Sequence, residues 1–294
     1  MFERVLYPID LTDVSITCAR ALVELRKYGT EELTLLHAVE YDPSKLIEGG
    51  IVDVDGFVAK LKEKTSRKIE EVAKEISRDL PNVSVKVVAS QDPIAEISKF
   101  ERNFDLLVIP SRSRSPFFLG RTTEKVVKSS ETPCLVLKSR PEAGKSYYEL
   151  ILRSMFEKPA FIVEKTVDPL KIPELLKSLK QFGLKKVALI RVAELEEALE
   201  GKVSKEELIH PLVPIPKIVE FLSEYWDGER TKLEKICRDL NGAGVSSEVL
   251  ISFSSVEKCL ERISKVEGLS LVICGKQSFE KALKVSDAVL VFNF

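Results

Sequence analysis

Residues 107–127 read LVIPSRSRSPFFLGRTTEKVV, and the fold turns on how this stretch is read. It begins inside 105-DLLVIP-110, an apolar run too short for a helix, which predicts a strand covered on both faces. It ends in a helical pattern expected over 122–130, and 134-CLVLK-138 then predicts a further buried strand. Strand, polar loop, helix and strand make one parallel crossover. In an open α/β sheet the loop at a strand's carboxyl end is where a ligand sits.

The same alternation extends toward the N-terminus. The segment 2-FERVLYPID-10 predicts a first strand ended by Pro8 and Asp10, and Thr12 or Asp13 supplies a cap for the next helix. Ile16, Ala19, Leu22, Val23 and Leu25 follow at helical spacing, and Gly29 suits the helix end. A second buried strand, 33-LTLLHAV-39, is followed by an expected loop over 41–56 and a charged amphipathic helix over 57–79. Strand 83-VSVKVVA-89 and a short helix over 94–101 lead back to the opening stretch. The order βαβαβαβαβ calls for a mainly parallel sheet with right-handed crossovers.

Beyond residue 140 the pattern returns. Strands are expected at 160–165, 186–192, 247–251, 269–275 and 288–294, with helices at 170–182, 217–240, 255–266 and 278–286. Five strands recur in the same order, so the chain carries an internal duplication of pattern, though not of residue identity. The expected fold class is α/β: two tandem doubly wound domains, 1–140 and 157–294, each with a five-stranded mainly parallel sheet, joined by a linker over 141–156 that runs into a short helix through Met155. CLVLK and AVLVF are apolar strands that would otherwise form bare edges, so they are expected to associate, within the chain or in a homodimer.

Composition narrows the function. Forty-five basic residues against 46 acidic ones leave a net charge of −1, which argues against general nucleic-acid binding and against a membrane-surface role. No eighteen-residue uncharged apolar segment predicts a membrane span, and Glu3 and Arg4 interrupt what a secretory leader would need. Five scattered cysteines without metal spacing read as reduced, buried thiols in a cytoplasmic protein.

Four segments of the first half, YPID, LTLLHAV, DLLVIPSRSRS and GRTTEKVVKSSETPCLVLKSR, resemble in order the universal stress protein family and together span almost all of residues 1–140. The second half resembles a degenerate copy that keeps the strand order and the ending VSDAVLVF. The resemblance implies a non-catalytic stress-response protein. Nucleotide-binding members of that family carry G-x2-G-x9-G-(S/T) after the fourth strand, where glycines let backbone N–H groups approach phosphates. It further implies that Asp10 holds a ribose, beside Pro8, and that Ala38 lies against an adenine.

Laid on this chain, the family motif puts Pro110, Ser113 and Gly120 at its three glycines and Arg121 at its Ser/Thr. Six residues, not nine, separate Ser113 from Gly120, which shortens the loop's reach by roughly 10 Å. Two readings follow. In one, Arg112, Arg114 and Arg121 replace backbone cradling with charge-assisted hydrogen bonds, Ser111, Ser113, Thr122 and Thr123 add donors, and AMP or Mg²⁺-ATP is bound weakly. In the other, the loop binds no nucleotide, Pro116, Phe117 and Phe118 pack against the protein, and the chain works as a dimerisation or interaction module. A slow ATPase is a third possibility, for which no motif indicates a base or any other catalytic residue.

In the second half, Gly275 reads as a turn glycine, and Asp168 as a faint echo of Asp10 with no ligand expected there. His37 reads as a structural imidazole, His210 as a lone loop residue, and 194-ELEEALEG-201 as a solvated face or short helix.

Overall fold

The computed structural model describes residues 2–111, 121–140, 142–193, 195–200 and 215–294. The chain divides into two compact units, one formed by Met1–Met155 with Asp287–Asn293 and the other by Phe156–Ser286 with Phe294.

In the first unit, β1 (Arg4–Pro8), β2 (Glu32–Glu40), β3 (Asn82–Ser90), β4 (Leu106–Ser111) and β5 (Cys134–Lys138) lie in the order β3-β2-β1-β4-β5. All four pairings are parallel; Val5, for example, is in register with Leu33 on one side and with Leu106 on the other. Every residue of β4 is buried, as a central strand covered on both faces must be. Right-handed crossovers then place α1 (Asp13–Ala21) and α3 (Val54–Ile76) on one face, in mutual contact, and α4 (Pro93–Glu101) with α5 (Arg121–Ser129) on the other.

The helix starts follow their capping chemistry. Thr12 accepts a hydrogen bond from the Ser15 N–H at the head of α1, and Asp92 accepts from Ile94 and Ala95 ahead of α4, with Pro93 in the first turn. Beyond α1 a 3-10 segment, Leu22–Tyr28, ends at Gly29, whose φ of 86° a side chain would resist. The expected loop over 41–56 contains a short helix, α2 (Pro43–Glu48), because Asp42 caps it and Pro43 presets its first turn. The linker, expected to run into a short helix through Met155, forms α6 (Lys145–Ser154), which buries Tyr148, Ile151 and Leu152 and packs on α1. Tyr28 Oη donates to the Leu152 carbonyl at 2.7 Å, and Arg153 pairs with Glu24.

The end of the chain returns to the first unit. β10 (Ala288–Phe292) pairs antiparallel with β5, with Val289 opposite Val136 and Leu290 opposite Leu135. Lys138 N–H donates to the Asp287 carbonyl at 2.8 Å, and Arg140 pairs with the Asp287 carboxylate at 2.7 Å. The two apolar strands CLVLK and AVLVF thus cover one another in a single chain.

The second unit repeats the plan with β6 (Pro159–Ile162), β7 (Lys186–Val192), β8 (Ser246–Ser252) and β9 (Leu271–Gly275), parallel and ordered β8-β7-β6-β9. Its helices are α7 (Lys171–Lys180), α8 (Leu195–Leu199), α9 (Ile215–Gly242), α10 (Val256–Val266) and α11 (Phe279–Val285). The repeat's fifth strand, β10, is the one that joins β5.

Candidate functional site

In the first unit the strand order reverses between β1 and β4, and the carboxyl ends of strands at such a reversal are where open α/β sheets take their ligands. Ile9 makes the last ladder contact there, its N–H donating to the Leu36 carbonyl at 2.8 Å. Asp10 then turns away from the sheet and is exposed. Its Oδ1 accepts from the Thr12 N–H at 3.0 Å and the Thr12 hydroxyl at 2.6 Å, while Thr12 caps α1. Leu11 between them has φ 61°, the one positive φ outside glycine among the described residues. Such strain persists only where its surroundings over-determine it, and it gathers at sites that present side chains to ligands.

The remaining residues singled out from the sequence surround this turn. Pro8 ends β1 half-buried, and Ala38 lies half-buried on β2, in register with Val88. Pro110 and Ser111 are buried at the end of β4, and Ser111 Oγ accepts from the Ser139 N–H at 3.1 Å. Arg121 opens α5; Thr122 is exposed beside it, and the buried Thr123 hydroxyl donates to the Pro110 carbonyl at 3.4 Å. β1, β2, β4 and α5 therefore bring Pro8, Asp10, Ala38, Pro110, Ser111, Thr122 and Thr123 to one end of the sheet. Arg112, Ser113, Arg114, Gly120 and the Pro116–Phe118 run lie outside the described residues, as does His210.

His37 sits under the turn. Its Nδ1 donates to the Ile9 carbonyl at 2.6 Å, so the ring braces the backbone one residue before Asp10. Tyr7, fully buried, donates its hydroxyl to the Ser15 carbonyl at 2.8 Å and ties β1 to α1. Burial lifts the Tyr7 phenol well above its ordinary range.

The second unit has a different end. Val163 N–H donates to the Ile190 carbonyl at 2.7 Å, reproducing the Ile9–Leu36 contact. Glu164 therefore occupies the place of Asp10, and Arg191 that of His37; Asp168 instead lies in the loop before α7, accepting from the Leu170 N–H at 2.9 Å. Glu164 is 8% exposed, and its Oε1 accepts from the Ser278 N–H at 2.9 Å. Burial raises its pKa above the ordinary carboxylate value, opposed by hydrogen bonds from Ser278, Gln277 and Gly275.

Arg191 projects into a cavity of about 450 Å³ that Glu164, Lys165, Tyr225 and Lys232 also line. Its guanidinium binds Glu229 at 2.9 Å, Tyr225 Oη at 3.0 Å, the Val192 carbonyl at 3.0 Å, and Glu197. Burial works against the Glu229 charge, yet Lys232 and Arg191 outweigh it and hold that pKa below the ordinary value. Glu197, read from sequence as part of a solvated acidic face or short helix, is turned inward from α8 by this arginine. An arginine in the apolar strand 186-KVALIRV-192 was the available sequence signal, since a buried arginine requires partners.

Among the described residues no group of three or more His, Cys, Asp or Glu side chains could hold a metal ion. No helix among them is long and apolar enough to cross a membrane.

Comparison with known proteins places the fold among solved structures. Residues 1–138 match the model of the universal stress protein family. The chain is 25% identical over 157 residues to universal stress protein MJ0577 of Methanocaldococcus jannaschii, a match spanning 48% of this chain and 97% of that protein. A solved universal stress protein from Archaeoglobus fulgidus DSM 4304 superimposes with a TM-score of 0.71, covering 100% of this chain and 99% of that one at 18% identity. That likeness extends the fold through both halves.

Proposed function

We propose that the chain is a member of the universal stress protein family, whose model its residues 1–138 match, and that it is a non-catalytic stress-response regulator whose first unit binds an adenine nucleotide weakly. The observation that carries this reading is the Asp10–Leu11–Thr12 turn, held with Leu11 at φ 61° at the end of β1 where the strand order reverses. A strained turn that presents an exposed carboxylate beside a half-buried alanine suits ribose hydroxyls and an adenine edge. On this reading Asp10 holds the ribose, Pro8 and Ala38 flank the base, and Pro110 and Ser111 floor the site. Arg112, Ser113, Gly120, Arg121, Thr122 and Thr123 meet the phosphates.

A loop three residues shorter than the family motif favours AMP over ATP, and Mg²⁺ accompanies ATP alone. The working domains are residues 1–140 and 157–294, with 141–156 between them, and the protein acts in the cytoplasm. Residues 135–137 and 288–290 are buried at 0–1% exposure where β5 and β10 pair. That pairing supports an intramolecular pseudo-dimer.

The test is thermal unfolding of the full chain against AMP, ATP and Mg²⁺. A ligand present at 100 times its Kd raises stability by about 2.7 kcal/mol. Wild type is expected to shift upward with nucleotide concentration, and Asp10→Ala to lose the shift. No shift at millimolar nucleotide would leave the interaction module as the reading, and phosphate release above background would assign hydrolysis.

A further inference from the structure

In the second unit the turn after β9 is occupied by a side chain of the protein itself. Glu164 follows β6 at the register position that Asp10 holds after β1, yet the two carboxylates behave differently. Asp10 is exposed and bound to Thr12 two residues on, whereas Glu164 is 8% exposed and reaches across to the turn that follows β9. There it takes the Ser278 N–H at 2.9 Å. Gly275 is part of the fit, because a Cβ at that position would stand 2.9 Å from Glu164 Cδ and overlap the carboxylate. β6 and β9 are neighbours, with Phe161 opposite Ile273, and they are the first and fourth strands of their repeat.

We propose that the Glu164 carboxylate is an internal ligand that fills the anion-holding position between the first and fourth strands of the second repeat, so that the turn after β9 admits no phosphate-bearing ligand. The extra methylene of Glu over Asp supplies the reach. A backbone N–H donating to a buried carboxylate at this turn is a contact that a phosphate oxygen would otherwise take. This inference stands whether or not the first unit takes a nucleotide.

Amide hydrogen exchange on the full chain, with inorganic phosphate as the probe, tests it. In the wild type, Gln277 and Ser278 are expected to be protected and to ignore millimolar phosphate. Glu164→Gln, whose side-chain carbonyl still accepts, keeps that protection within about threefold. Glu164→Ala loses it by tenfold or more and regains it with phosphate. Should the alanine variant fail to fold, Glu164→Asp shortens the arm by one methylene and is expected to show the same loss and rescue. Phosphate-dependent protection in the wild type would overturn the proposal. So would full protection in the shortened variants without phosphate, or a loss that phosphate does not restore.

Discussion

Asp10 and Glu164 stand at one register position in their two repeats, and a single methylene separates an exposed carboxylate from one locked into its neighbour's turn. Gly275 is the residue that makes room for the second arrangement. Gly275→Ala is therefore expected to expel the Glu164 carboxylate and to cost about 1–3 kcal/mol, the range for overpacking or for an orphaned buried polar group. In a Glu164→Ala background the same glycine substitution is expected to cost close to nothing. Denaturant unfolding followed by Trp226, the one tryptophan and a residue of the second unit, measures both. Equal costs in the two backgrounds would show that the glycine serves the backbone instead. The sequence made Asp10 legible because YPID ends a strand at a turn. It could not make Glu164 legible, because register is a property of pairing, and the acid that looked like an echo, Asp168, lies four residues too late.

At the scale of elements, apolar runs bounded by Pro, Asp and Gly marked all ten strands to within a few residues, since buried parallel strands have little choice of composition. The short helix α2 was harder to see, because Asp42 and Pro43 start it without a long amphipathic repeat. By contrast α6, expected as a short helix through Met155, draws its stability from burying Tyr148, Ile151 and Leu152. β10 carries the clearest consequence. It lies near the end of the sequence, yet it covers β5 of the first unit, with Val289 fully buried opposite Val136. Val289→Asp would place an unpaired carboxylate in that ladder. It is expected to destabilise the first unit by about 3–5 kcal/mol. Calorimetry of the full chain should show the first unit's transition moving down. A first unit that melts as in the wild type would mean β10 adds nothing to it.

At the scale of the whole molecule, two copies of one plan have diverged at their sheet ends. The first keeps a strained turn with an exposed acid beside a half-buried alanine. The second fills its counterpart with Glu164 and knots Arg191 to Glu197, Tyr225 and Glu229. Sequence pattern exposed the duplication and the absence of a binding motif from the second copy, because strand order and loop length are local features. It did not expose what stands in the motif's place, which depends on the contact of Glu164 with the Ser278 N–H, 114 residues away. The central claim is that one nucleotide binds per chain, at Asp10. Isothermal titration calorimetry of the full chain with AMP tests it most directly: the expected result is one site per chain, abolished by Asp10→Ala and untouched by Glu164→Gln. Two sites per chain, binding that survives Asp10→Ala, or no heat at millimolar AMP would contradict it.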